Sequence, residues 1–363
     1  MRRSPVHLAA CLAIATAASP AIAQTQPAAA PAAPAKQYGA ASFLQQPLVS
    51  HLYTADPSAH VFDGKLYVYP SHDIKTDAPD DRMGGRFDMK DYHVLSMDRI
   101  GGLVTDHGVA LDIADIPWAK RQMWAPDAAH KNGKYYLYFP VKDQQDIFRI
   151  GVAVSDSPAG PFTPPSAPMA GIYSIDPAVF QDGKDYYIYV GGLRGGQLQR
   201  WRTGEYRAED TFPAANEPAL SPKMARLADD MVSLAEPLRD VAIQDENGKP
   251  LTNGDLPRRF FEASWVHKYQ GKYYFSYSTG ETRSIVYATG DSPYGPFTFR
   301  GKILEPVLGW TNHHSIVEFK GKWYLFYHDS QMSEGITYLR NVKVTELRHR
   351  PDGSIETIDA FVE

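Results

Sequence analysis

Apolar and polar positions alternate along most of this chain with the two-residue period of β-strands, and the helical period is scarce. One unit recurs five times: a polar or acidic residue, a short apolar stretch, a Gly-Lys pair, and an alternating run rich in Tyr, Phe and Trp. The copies occupy residues 56–69, 127–138, 176–189, 262–277 and 313–327. Their turn glycines, Gly64, Gly133, Gly183, Gly271 and Gly321, are 69, 50, 88 and 50 residues apart. Each copy predicts a β-hairpin, because turn formers bracket runs of β-branched and aromatic residues.

A second phrase also repeats. Asp156-Ser157-Pro158-Ala159-Gly160-Pro161-Phe162 matches Asp291-Ser292-Pro293-Tyr294-Gly295-Pro296-Phe297. Its Pro and Gly residues cannot sit in a central strand, so it predicts loops after the outer strands of a sheet. Hairpins repeating at this scale predict an all-β chain folded as a five-bladed β-propeller. Five repeats leave roughly 64 residues each, above the about 40–50 of a simple blade. The surplus falls in two elaborated loops, residues 74–91 and residues 194–259. The second carries a mildly helical stretch at 224–234.

Composition adds bounds. The net charge of −5 gives no basic excess to attract nucleic acid, and 22 Tyr residues supply packing for a large core. Residues 1–23 have the form of an export signal: Arg2 and Arg3, an apolar stretch, and Ala21-Ile22-Ala23 before Gln24. The segment is too short for a membrane anchor. An exported protein, periplasmic or secreted, is expected. The single cysteine, Cys11, lies within the signal, so the mature protein would hold together by packing alone. Residues 24–37 are rich in Ala and Pro and predict a flexible leader, with the propeller spanning 38–363.

In a propeller the innermost strand of each blade borders one central funnel, so the residues heading the repeats can converge. Asp56, Asp176 and Glu262 would then share one hub, where like charges raise one another's pKa and divide carboxylates into acid and base. An Asp before Pro, as at Asp56 and Asp176, is otherwise an ordinary turn starter. Glu262 follows Phe260 and Phe261, an apolar setting that is costly for a carboxylate without a function. Asp127 also heads a repeat, with a different spacing, and reads as a structural hydrogen-bonding residue. His313 heads the fifth repeat and is read either as a packed histidine or as a metal ligand. Arg340 is either a surface strand arginine or a hub residue, and Trp124 either packs between blades or walls a sugar site.

These phrases, in this order, resemble glycoside hydrolase family 43. The resemblance rests on Ala55-Asp56-Pro57-Ser58, Trp124-Ala125-Pro126-Asp127 and Ile175-Asp176-Pro177-Ala178. It continues with Phe261-Glu262-Ala263-Ser264 and Asn312-His313-His314-Ser315-Ile316-Val317. It implies that Asp56 is the general base activating water, Glu262 the general acid, and Asp176 the residue that positions the acid and keeps its pKa high. It implies inversion, with about 6.5–9.5 Å between the reacting carboxyls. It further implies that Arg340 and Trp124 contact the sugar, and that His313 stands beside a hydrated calcium ion at the hub. After the acid, Ala263 and Ser264 stand where many relatives have Gly and Pro.

The same resemblance, with the short build, points to a β-xylosidase acting on xylo-oligosaccharides, and next to an α-L-arabinofuranosidase. No carbohydrate-binding module is expected beyond the last repeat, and small oligosaccharides are therefore the expected substrates. A sugar-binding propeller without catalysis is the reading from another class; the carboxylate triplet distinguishes the two.

Overall fold

The computed structural model describes Met1, residues 39–81 and residues 83–362. The expected export signal, with Cys11, and the Ala/Pro leader lie outside the described residues, Met1 apart.

All five repeats are antiparallel hairpins closed at the Gly-Lys turns. In blade 1, Tyr53–Phe62 pairs with Lys65–Asp73, followed by Asp91–Met97 and Thr105–Asp112. The hairpin of blade 2 is Asp127–Lys131 with Lys134–Asp143, and Phe148–Ser155 lies outside it. Blade 3 runs Ala178–Asp182, Asp185–Val190, Lys223–Arg226, Arg239–Asp240, and blade 4 runs Glu262–Tyr269, Lys272–Ser278, Ile285–Gly290, Phe297–Leu304. Blade 5 has three strands, His314–Phe319, Lys322–Asp329 and Asn341–Leu347. Among the described residues there is no α-helix, only short 3-10 turns. The helical stretch expected at 224–234 is therefore corrected. Met224 to Arg226 belong to a strand paired with Tyr187 to Tyr189, because edge pairing in blade 3 overrides weak local helix preference.

The aromatic runs are apolar at successive positions because both faces of each sheet are covered. In blade 1, Leu66 and Val68 pack with Phe326 and Val342 of blade 5, whereas Tyr69 packs with Leu137 and Phe139 of blade 2. In blade 2, Tyr138 turns the other way, towards Ile188 and Val190 of blade 3. Tyr189 then meets Phe275 of blade 4. Each sheet is thus buried on both faces between neighbours, and the strand period sends alternate side chains to different interfaces. The ring closes where Thr54 N–H donates to Arg340 O (3.0 Å) and Ala59 N–H to Ser315 Oγ (3.1 Å).

The two Asp-Ser-Pro phrases leave the third strand of blades 2 and 4. One leads to Thr163, which bridges back to Val154, and the other leads into Phe297–Leu304. Phe162 and Phe297 anchor the two loops in the core. The Ile74 to Lys90 segment and the start of the second insertion rise beside the hub and form the walls of a cavity.

Candidate active site

Irregular backbone at the heads of the inner strands is what aims the site residues. Pairing in blade 1 skips between Ala55 and Ser58, and in blade 4 between Glu262 and Trp265. Asp56, Asp176 and Ala263 each take a left-handed backbone, at φ 47°, 53° and 63°. Asp tolerates this region better than most residues, since its short side chain can bond locally. The bulge turns Asp56 into the funnel and frees its N–H, which donates to His328 Nδ1 at 3.0 Å. In blade 4 the freed Ala263 N–H donates to Asp176 Oδ2 at 2.9 Å, tying the residue after Glu262 to blade 3.

Asp56, Asp176, Glu262, Trp124, His313 and Arg340 all line one cavity of about 380 Å3. Asp80, Asp81, Gly84, Phe87 and Met89 of the first insertion wall it on one side, and Arg194, Gly195 and Gly196 on another. Ala125, Ile175, Leu193, Phe261, Trp310, Thr311 and Thr337 complete the lining.

The carboxylates are in different electrostatic states. Burial pushes the Asp56 pKa up, but Arg340, His328, His313 and the Ser71 hydroxyl pull it down further, to about 2. Arg340 Nη1 donates to Asp56 Oδ1 at 2.7 Å, and Ser71 Oγ to Oδ2 at 2.8 Å. Glu262 keeps solvent contact through the cavity yet lies well below the molecular surface. Burial, with the charge on Asp56, raises its pKa to about 8 although Arg340 opposes this. Asp176 is raised well above the usual carboxylate range by burial and by Glu262 and Asp56. Asp56 is therefore ionised at neutral pH while a proton stays on the Glu262/Asp176 pair.

Arg340 is 3% exposed, not a surface arginine. Its Nε and Nη2 donate to the two Asp73 oxygens, each at 2.8 Å, so that Asp73 orients the guanidinium that faces Asp56. Trp124 lines the cavity, donates Nε1–H to Phe87 O of the first insertion at 2.8 Å, and packs on Phe148 of its own blade with ring centroids 4.6 Å apart. His313 Nδ1 stands 3.7 Å from Asp56 Oδ1 and 3.9 Å from Asp176 Oδ2. Burial lowers its pKa to about 4, although Asp56 opposes this, so the imidazole is neutral. His314 points away from the cavity, with Nε2 2.6 Å from Ser276 Oγ. Asp127 is structural: it accepts from Ser58, His60 and the Ala128 and Val179 N–H groups, joining the inner strands of blades 1, 2 and 3.

Sequence reasoning missed Ser71, Asp73 and His328. All three lie at the far end of the second strand of a hairpin, and the signal available was the parallel between His72-Asp73 and His328-Asp329 as hairpins 1 and 5 end.

A carboxylate held ionised and a carboxyl held protonated around a single sugar-sized cavity divide the labour as cleavage of a glycosidic bond by water requires. The propeller is accordingly a glycoside hydrolase, and a lectin has no use for such a pair. The chain belongs to Glycosyl hydrolases family 43, which matches residues 45–355. A Bacteroides ovatus protein named xylosidase/arabinosidase is 61% identical over 314 residues, 86% of this chain and 97% of its own length. CoXyl43, described as a GH43 β-xylosidase/α-arabinofuranosidase from a compost microbial metagenome, superposes with a TM-score of 0.87 at 66% identity. That comparison covers 89% of this chain and 99% of CoXyl43, solved with xylotriose in a calcium-free form. The GH43_1 enzyme of Xanthomonas citri, complexed with xylotriose, gives a TM-score of 0.84 at 56% identity over 88% of this chain and 94% of its own.

Proposed function

We propose that this chain is an exo-acting β-xylosidase, releasing xylose from the non-reducing end of β-xylo-oligosaccharides with inversion. The observation that carries the reading is the cavity itself: its floor holds the split carboxylates, and its walls are the two insertions, leaving room for few sugar units. The relatives' names and the xylotriose bound in two structural neighbours support the sugar class.

Asp56, ionised, takes a proton from the water that attacks the anomeric carbon. Glu262, protonated through neutral pH, donates to the departing glycosidic oxygen as the bond breaks. Asp176 holds the Ala263 N–H, which positions the residue next to the acid, and shares with Glu262 the proton that burial and the charge on Asp56 keep on the pair. Arg340 prevents Asp56 from capturing that proton and presents its remaining N–H groups towards the sugar. Trp124 offers a ring as one wall.

Calcium at the hub belongs to the same proposal. The donor set there fits a hydrated ion: His313 is neutral, hence able to ligate, while both Asp56 oxygens are already engaged by Arg340 and Ser71. His313 would hold the ion, waters would fill the other positions, and its charge would offset the crowded carboxylates. The export signal makes the periplasm or the medium the proposed place of action.

A second reading, α-L-arabinofuranosidase activity, is favoured by the double name of the Bacteroides ovatus relative and of CoXyl43. The deciding experiment assays nitrophenyl β-xyloside, nitrophenyl α-L-arabinofuranoside and linear xylo-oligosaccharides, with NMR of the first sugar released. Stepwise release of α-xylose is expected. Internal cleavage products, β-xylose as first product, or turnover of the arabinofuranoside alone would overturn the main reading.

A further inference from the structure

Outside the catalytic cavity, the outward part of blade 1 holds a cluster of histidines and carboxylates that the hydrolytic reaction does not use. His72 is the penultimate residue of Lys65–Asp73, and Asp91 and His93 lie two apart on Asp91–Met97, hence on one face. Ser71 pairs with Tyr92, which brings His72 across from Asp91. One ligand atom from each of His72, Asp91 and His93 lies within 4.8 Å of the other two.

The hydrogen bonds fix the tautomers. His93 Nδ1 donates to Asp106 Oδ1 at 2.9 Å, so its Nε2 carries the lone pair when the ring is neutral. That Nε2 faces Asp91 Oδ1 at 3.7 Å, an acceptor opposite an acceptor. His72 Nδ1 donates to the same Asp91 oxygen at 2.7 Å. Asp106 is itself oriented by the Gly108 N–H at 2.9 Å and by His51 Nε2 at 2.7 Å. A carboxylate behind a histidine, directing the other ring nitrogen at a shared point, is the outer support that metal-bound histidines carry.

We infer that His72, Asp91 and His93 form a binding site for a divalent transition metal of the zinc class. Two imidazole nitrogens and one carboxylate select Zn2+, Co2+ or Ni2+ over Ca2+, which prefers an all-oxygen shell. On binding, His72 exchanges its proton through solvent from Nδ1 to Nε2, leaving a neutral ring with Nδ1 free for the metal, and Asp91 turns from hydrogen-bond acceptor to ligand. The side chains are 13–20% exposed, which leaves a way in and an open coordination position for water. The consequence is local: His72 and Asp91 flank the loop of residues 74–90, whose Phe87 and Met89 wall the catalytic cavity. A metal there pins both stems of that loop.

The test uses the full enzyme stripped with a chelator. Zn2+ titration by calorimetry should show one equivalent that His93→Gln abolishes and Asp106→Asn weakens by about 10–100-fold. Excess Ca2+ should not compete, and saturating zinc should slow proteolysis within residues 74–90. Should His93→Gln fail to fold, the Co2+ spectrum of the wild-type enzyme decides, with nitrogen coordination expected. Absence of zinc binding, displacement by Ca2+, or zinc kept in His93→Gln and lost in His313→Gln would overturn the site.

Discussion

Arg340 Nη1 lies 2.7 Å from Asp56 Oδ1, a contact between residues 284 positions apart that decides which carboxylate of the hub is ionised. Burial alone would push Asp56 upward; Arg340, with His328, His313 and Ser71, holds it at about 2. Replacing Arg340 by Met removes the largest of these opposing influences, so the Asp56 pKa rises and the base is lost first at low pH. The acid limb of kcat/KM should move upward, with the loss at pH 5 exceeding that at pH 7. Asp73 is left buried without its partner, at a stability cost of about 3–5 kcal/mol. An unmoved acid limb in the folded variant would refute the assignment.

Glu262→Ala should lower kcat on xylo-oligosaccharides by about 100-fold to 10,000-fold. Aryl xylosides with good leaving groups should be spared, because their departure needs little protonation. Equal loss on both substrates would remove Glu262 from the acid role. In the wild type, the alkaline limb should fall near pH 8, where Glu262 loses its proton.

The same group shapes stability. Its folded pKa is raised from 4.5 to about 8, so its contribution is fully present below pH 4.5 and is lost as pH rises towards 8. Asp56 has the opposite sign: its contribution is present above pH 3.8 and lost as pH falls towards 2. Glu262→Gln should therefore stabilise the protein at pH 8 by on the order of 4 kcal/mol and hardly at all at pH 4. Thermal melts at the two pH values check this.

Asp127 predicts a loss of stability without loss of chemistry. Asp127→Ala strands the Val179 and Ala128 N–H groups and should cost at least about 1.5–3 kcal/mol, read as a lower urea midpoint. The kcat of the folded fraction should stay close to that of the wild type.

Gly195 tests the wall. A Cβ there would meet Trp124 Cη2 at 2.9 Å and Met83 O at 3.0 Å, so Gly195→Ala must displace the indole or the loop. KM for xylobiose should rise several-fold, with kcat changed less, since Asp56 and Glu262 are carried by the inner strands of blades 1 and 4 and not by this turn. A fall in kcat alone would contradict a wall role for Trp124.

Much of this was legible in the chain. The five Gly-Lys hairpins, the two insertions and the heads of the repeats are local signals, carried by turn residues and strand-period runs, and all five hairpins form. Asp127 was separable from the other acids by its spacing. The stretch at 224–234 misled because a weak helical tendency was read without knowing that Tyr187 to Tyr189 offered an edge to pair with. Ser71, Asp73 and His328 escaped because nothing local distinguishes a strand-end hydroxyl, acid or imidazole that supports a neighbour from one that faces water.

The amino-acid order alone determined that the chain repeats five times, that each repeat is an aromatic-rich strand-period hairpin, and that acids head four of the five repeats. Tertiary structure decided what those acids are. Protonation is set by fields acting through space over a few ångströms, and closing the ring is what brings Arg340 to Asp56, Glu262 into the field of Asp56, and Asp176 to the Ala263 amide.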